Sequence, residues 1–168
     1  YHEQVCLIQF SIPGKDYVLD PLAIDDLSPL GEIFSDPNIE KIFHAAEYDI
    51  IILKYDFNFR FERLFDTMVA ARILGWKSVG LSSILKAKFG VNVNKKYQRA
   101  NWGQRPIPRE MLSYAQLDTH FLIQLRELLK LELIDRNRWE LAEEDFRRVC
   151  HVNPNKSNEK RLDPWRIN

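Results

Sequence analysis

The sequence predicts an α/β domain, a mixed sheet flanked by helices, on three observations. Two apolar runs, "VCLIQFSI" (5–12) and "DYVLDP" (16–21), are joined by the turn residues "PGK" and read as a hairpin. The buried-strand pattern "IEKIFHA" (39–45) runs directly into helical spacing in "AEYDIIILKYDF". A second such pair follows, in which "FERLFDT" reads as a strand and "TMVAARILG" as a helix stopped at Gly75.

The elements follow in order from local chemistry. Between hairpin and third strand, "DDLSPLGEIFSD" is a short helix with Asp26 or Ser28 to cap it and Pro37 to end it. Beyond Gly75, "GLSSILKAKFG" makes a helix between two glycines, and an irregular segment spans 91–108. Next comes a helix over 110–125, with an apolar stripe of Met111, Tyr114, Ala115, Leu122 and Leu125 continuing to Leu129, and "DRNRWELAEEDFRRVC" continues helical. From His151 onward the chain is polar and rich in Asn and Lys, the profile of a linker or tail, so the expected domain occupies 1–150 and the tail 151–168.

The 168 residues, 45% of them hydrophobic, suffice for one domain with a real core. Lys plus Arg and Asp plus Glu number 24 each, which excludes an overall basic field. Any nucleic-acid signal must therefore be local. Cys6 and Cys150 lack CxxC spacing and read as free thiols in a reducing compartment, cytoplasmic or nuclear. No apolar run approaches the 18 or so residues of a membrane span.

Two acids interrupt apolar patterns. Asp118 fills the gap in the stripe of the 110–125 helix, and Asp49 stands on the line Ala46, Asp49, Leu53. A carboxylate on a buried helix face costs more than an uncharged polar group left without a hydrogen bond, unless it is neutralised or partnered. Either acid could pair with an Arg or cap a neighbouring element. Neither has a basic residue one turn away on its own helix, which makes shared use of a divalent cation the economical alternative. A third clue is residues 86–109, "KAKFGVNVNKKYQRANWGQRPIPR", with seven Lys or Arg, no Asp or Glu, and Phe89, Tyr97 and Trp102 interleaved. Such a segment suits the phosphates and bases of a single strand; the bland alternative is a solvated loop pinned by its aromatics.

Taken together, "CLIQF", "FHAAEYDI", "LFDTMVAARIL", "KKYQRANWGQRPIP" and "YAQLDTHFL" resemble, in order and approximate spacing, the ribonuclease D group of 3′-to-5′ exonucleases, the tyrosine branch of the superfamily named for four acidic metal ligands. The resemblance covers residues 1 to 150 and implies a ribonuclease H-like sheet. It implies that Asp49 and Asp118 are metal ligands and that Tyr114, in the motif Tyr-x-x-x-Asp, positions or deprotonates the attacking water. With an ordinary tyrosine pKa near 10, positioning is the better expectation. It further implies two Mg2+ or Mn2+ ions and hydrolysis of single-stranded RNA from its 3′ end to nucleoside 5′-monophosphates. The charge pattern of the basic segment itself puts Lys95, Lys96, Arg99 and Arg105 on the substrate backbone, with Trp102 stacking on a base or anchoring the segment. The alternatives are a DNA-directed exonuclease and an RNA-binding pseudo-nuclease. His44 is expected as a packed strand-end histidine and Asp66 as a helix cap.

The chain departs from the group's pattern in two places. The first motif, Asp-x-Glu on the central strand of a sheet ordered 3-2-1-4-5, is absent and expected upstream of Tyr1. The chain is therefore expected to be a fragment with little activity of its own. Asn101 stands where relatives tend to have an acidic residue, and "RLDPWRIN" resembles the entry to a helicase-and-RNase-D C-terminal domain.

Overall fold

A computed structural model describes residues 5–154, except the side chain of Lys95. The chain opens with β1 (Ile8–Ile12) and β2 (Lys15–Leu19), paired antiparallel from Ile8 opposite Leu19 to Ile12 opposite Lys15. Pro13 and Gly14 form the turn, and Gly14, at φ 78°, supplies the left-handed residue that a type II turn needs after proline. Helix α1 (Ser28–Ser35) follows, with Pro29 in its first turn. Then β3 (Lys41–Phe43) and β4 (Leu64–Asp66) pair in parallel around the crossover helix α2 (Ala46–Phe57). The remainder is helical: α3 (Thr67–Ile73), α4 (Leu81–Phe89), a 3-10 turn at Lys95–Tyr97, α5 (Arg109–His120), α6 (Leu122–Asp135) and α7 (Trp139–Cys150).

The expected order of strands and helices is present, and the sheet lies in two pieces, β1–β2 and β3–β4. Among the described residues, neither β1 nor β3 has a strand on its other side. Helix α5 packs across β1 and β2, while α6 reaches β3, so the two pieces share one helical backing. The core between them holds Phe65, Ile50, Ile84, Leu125, Leu129 and Leu133, all essentially without solvent contact. Among the described residues neither Cys6 nor Cys150 is in a disulfide, and no helix is long and apolar enough to cross a membrane. Most of the expected tail, from residue 155 onward, lies outside the described residues.

Three sequence expectations need correction. The helix over 110–125 is two helices, because the chain turns at Phe121. Asp118 therefore sits in the last turn of α5, beyond its buried residues Met111 and Ala115, and is exposed. On α2 the core line is Ala46, Ile50, Leu53, spaced i, i+4, i+7, which leaves Asp49 on its flank, about 70° around the helix from the middle of that line, and exposed.

Candidate functional site

Asp66 organises the ground on which the site stands. Its carboxylate is 1% exposed and accepts four backbone N–H groups: Met68 (2.8 Å) and Val69 (3.2 Å) at the start of α3, and Ala45 (3.1 Å) and Ala46 (2.8 Å) at the start of α2. The cap expected from sequence is thus a double cap. It also holds Ala45 in the left-handed region at φ 61°, where a residue with a Cβ stays only if tied down. Next to it Thr67 donates to the Phe43 carbonyl (3.0 Å), so its oxygen accepts from Nδ1–H of His44 (2.9 Å). Burial holds His44 below its ordinary pKa despite Asp66 and a bond to the Val79 backbone. His44 is the packed strand-end residue that the sequence predicts.

From the α2 start fixed in this way, Asp49 stands one turn into the helix. Its pKa is pushed up to about 6 by crowding from surrounding protein, by the charge of Asp118 and by that of Asp66. Asp118 is likewise pushed up to about 6, through desolvation. Both side chains have open surface, so they occupy a position enclosed by protein yet reachable from solvent. Each charge opposes ionisation of the other, so the two acids titrate as a pair. Helices distant in sequence have therefore brought the two carboxylates within electrostatic reach. Among the described residues neither has a hydrogen-bond or ion-pair partner, whereas Asp16, Asp20 and Asp66 all do.

Tyr114, one turn before Asp118, is half-buried between Tyr97 (ring centroids 5.9 Å apart) and Trp102 (6.1 Å, stacked). Burial and the Asp118 charge raise its pKa, so the hydroxyl keeps its proton at neutral pH. The basic segment is consequently anchored to α5 by its aromatics. Trp102 is already stacked on protein, the second of the two roles expected for it. Lys96 is exposed with its ammonium 5.3 Å from the Tyr97 ring, and Arg99 is exposed. Asn101 accepts from the Gly103 amide (3.1 Å), a bond that an aspartate at this position would also make.

Arg105 departs from expectation. Its Nε and one terminal nitrogen form a fork on the Asp20 carboxylate (2.6 Å each), and its remaining N–H groups go to the carbonyls of Trp102 (3.0 Å), Gln104 (2.8 Å) and Cys6 (2.9 Å). With all five donors engaged, none is left for a phosphate.

Sequence reasoning also missed the joint between hairpin and α5. Asp16 accepts from Gln116 (2.6 Å), pairs with His120 (2.7 Å) and bonds Ser11, which meets Thr119 (2.8 Å). Burial raises the Asp16 pKa, but these hydrogen bonds and the His120 charge outweigh it and hold the group below the usual range. The partners lie some hundred positions apart, and no local pattern marks them.

Among the described residues no three His, Cys, Asp or Glu side chains cluster as a metal cage. Two carboxylates without a protein partner among the described residues still fit a hard cation, since Mg2+ commonly uses one or two carboxylates and fills its shell with water and substrate phosphate.

A family model described as 3′-5′ exonuclease matches residues 1–134. Mouse exosome complex component 10 is 42% identical over 132 residues, which make up 78% of this chain and 15% of that protein. The chain thus spans a small part of that relative's length. Among solved structures, the catalytic core of RRP6 from Trypanosoma brucei is 34% identical with a TM-score of 0.83, covering 92% of this chain and 45% of that one. Escherichia coli RNase D, an exoribonuclease involved in structured RNA processing, is 29% identical with a TM-score of 0.81, covering 88% and 40%.

Proposed function

We propose that this chain, which belongs to the 3′-5′ exonuclease family, is the catalytic domain of an enzyme that hydrolyses single-stranded RNA from its 3′ end and releases nucleoside 5′-monophosphates. The observation that carries the reading is the pair Asp49 and Asp118, exposed, without protein partners among the described residues, and held near pKa 6, whereas Asp66 close by has four amide donors. Two like charges within electrostatic reach of one another are stabilised by a cation bound to both. The RNA preference rests on the similarity to RNase D, named as an exoribonuclease, and on the basic segment beside Tyr114.

In this reading the two carboxylates would hold Mg2+ or Mn2+. When bound, such ions supply Lewis-acid activation of water and stabilise the leaving 3′ oxygen. The chain's own residues do the rest. Tyr114, kept protonated, donates a hydrogen bond that orients the attacking water or a phosphate oxygen. Lys96 and Arg99, with Lys95 beside them in sequence, steer the backbone of the strand. Trp102 anchors their segment, and Arg105 is withdrawn from the substrate contacts.

The test is degradation of a 5′-labelled single-stranded RNA by the full-length protein with Mg2+ or Mn2+. Asp118→Asn is expected to lower turnover by at least about 10²-fold, the scale set by loss of a charged metal contact. Tyr114→Phe is expected to lower turnover by about 10²-fold while RNA binding survives. Full activity in Asp118→Asn would remove the two-acid site, and unchanged turnover in Tyr114→Phe would return Tyr114 to a packing role.

A further inference from the structure

We propose that Arg105 is a positioning residue, a latch that ties the basic segment to the hairpin and thereby sets the Tyr114 ring against Asp118. The inference rests on the exonuclease reading above, which gives Tyr114 its task.

The geometry is that of a three-way clamp. One guanidinium bridges the stretch before β1 through the Cys6 carbonyl, the residue after β2 through Asp20, and the basic segment through the Trp102 and Gln104 carbonyls. The Asp20 contact is a fork with both bonds at 2.6 Å, an arrangement in which a planar guanidinium fixes direction as well as distance. Asp20 is itself preset, since one of its oxygens also accepts the Leu22 amide (3.0 Å). What the clamp fixes is the backbone of Trp102, whose ring lies on Tyr114 at 6.1 Å and 29°. Gln104, next to the latch, reaches the Met111 sulfur on α5 (3.3 Å). Segment, hairpin and α5 therefore meet at one point, and Tyr114 is packed from the segment's side by Tyr97 and Trp102. Releasing the clamp frees Trp102, and with it one wall of the slot that confines the Tyr114 ring.

A phosphate contact and a latch respond differently to the same substitutions. Lysine keeps the charge and can reach a phosphate, but one ammonium cannot serve five acceptors on three segments. If Arg105 is a latch, Arg105→Lys lowers kcat by about 10-fold, the scale of a displaced catalytic group, with KM for RNA and the salt slope of binding unchanged. Asp20→Asn, which breaks the charged fork from the other side, gives the same pattern. In a Tyr114→Phe background Arg105→Lys adds little further loss, because the group it positions is already gone. Hydrogen exchange over residues 97–104 rises in both single variants, a readout that needs no activity.

The latch is overturned if exchange over 97–104 is unchanged, or if the losses from Arg105→Lys and Tyr114→Phe multiply in full. It is equally overturned if Arg105→Ala flattens the salt slope by about 1 with kcat intact, the signature of a phosphate contact. Absence of RNA hydrolysis by the unaltered full-length protein would instead sink the exonuclease reading, and the exchange measurement would still decide the latch.

Discussion

Asp66 and the pair Asp49–Asp118 are the same side chain in opposite circumstances. Asp66 is 1% exposed and has four amide donors, so its burial is compensated and the start of two helices depends on it. Asp49 and Asp118 are exposed and have no partner among the described residues, yet protein crowding pushes both up to about 6. The buried acid builds the scaffold, and the open ones are left for something the scaffold itself does not supply. What distinguishes them is satisfaction of the carboxylate rather than depth.

One substitution, Asp to Asn, should therefore act with opposite sign at the two places. Asp66→Asn keeps the shape but replaces one accepting oxygen by a donor, which leaves buried amides unsatisfied. We expect a loss of about 2 to 3 kcal/mol in urea-induced unfolding. Asp118→Asn in metal-free protein at pH 7.5 should instead stabilise by up to about 1 kcal/mol, since it removes a crowded, repelled charge whose effect solvent partly screens. If both variants destabilise alike, the contrast between scaffold acid and free acid fails.

The contrast also has a pH signature. A carboxyl with a folded pKa near 6 and an ordinary value of 3.8 binds more protons folded than unfolded between those limits. Its contribution to stability is full below about pH 4 and is lost as pH rises through about 6. Without divalent cations, the unaltered protein minus the Asp49→Asn, Asp118→Asn double variant should thus lose up to about 1 kcal/mol between pH 4.5 and 7.5. Added Mn2+ should reverse that loss at pH 7.5 in the unaltered protein only, because the cation binds the deprotonated pair. Thermal melts on the two proteins with and without Mn2+ check both arms, and stabilisation of the double variant to the same degree would place the cation elsewhere.

The same comparison shows what the sequence could reveal. The order of strands and helices along the chain, the turn at Pro13–Gly14 and the cap of α3 by Asp66 were legible because each depends on neighbours a few positions away. Asp49 and Asp118 were picked out as acids inside apolar patterns, and the structure brings them within electrostatic reach, but their expected burial did not follow. Periodicity is blind to a turn such as that at Phe121, and it cannot tell a core line of Ala46, Ile50, Leu53 from one drawn a single residue off. Arg105 was misread for a different reason. In sequence it belongs to a basic run, and nothing local shows that Asp20 and the Cys6 carbonyl, 85 and 99 positions away, will take its donors.

That misreading sharpens the smallest effect expected here, on the remaining cations. Lys96 and Arg99 are exposed on the segment whose aromatic residues pack on Tyr114, and Lys95, whose side chain lies outside the described residues, precedes them. If these side chains meet phosphates, each contact releases a counterion, and replacing Lys95 and Lys96 together by Ala should weaken binding of a single-stranded oligonucleotide and flatten its salt dependence by a slope of about 1 to 2. Sequence preference should barely change, because phosphates carry no base identity. Arg105→Lys should leave the slope untouched, so titrations of the three proteins in parallel separate cations that face the substrate from the one that faces inward. Equal slopes for the unaltered protein and the Lys95, Lys96 variant would make the segment a solvated loop, with the two-acid site and the latch both left standing on their own geometry.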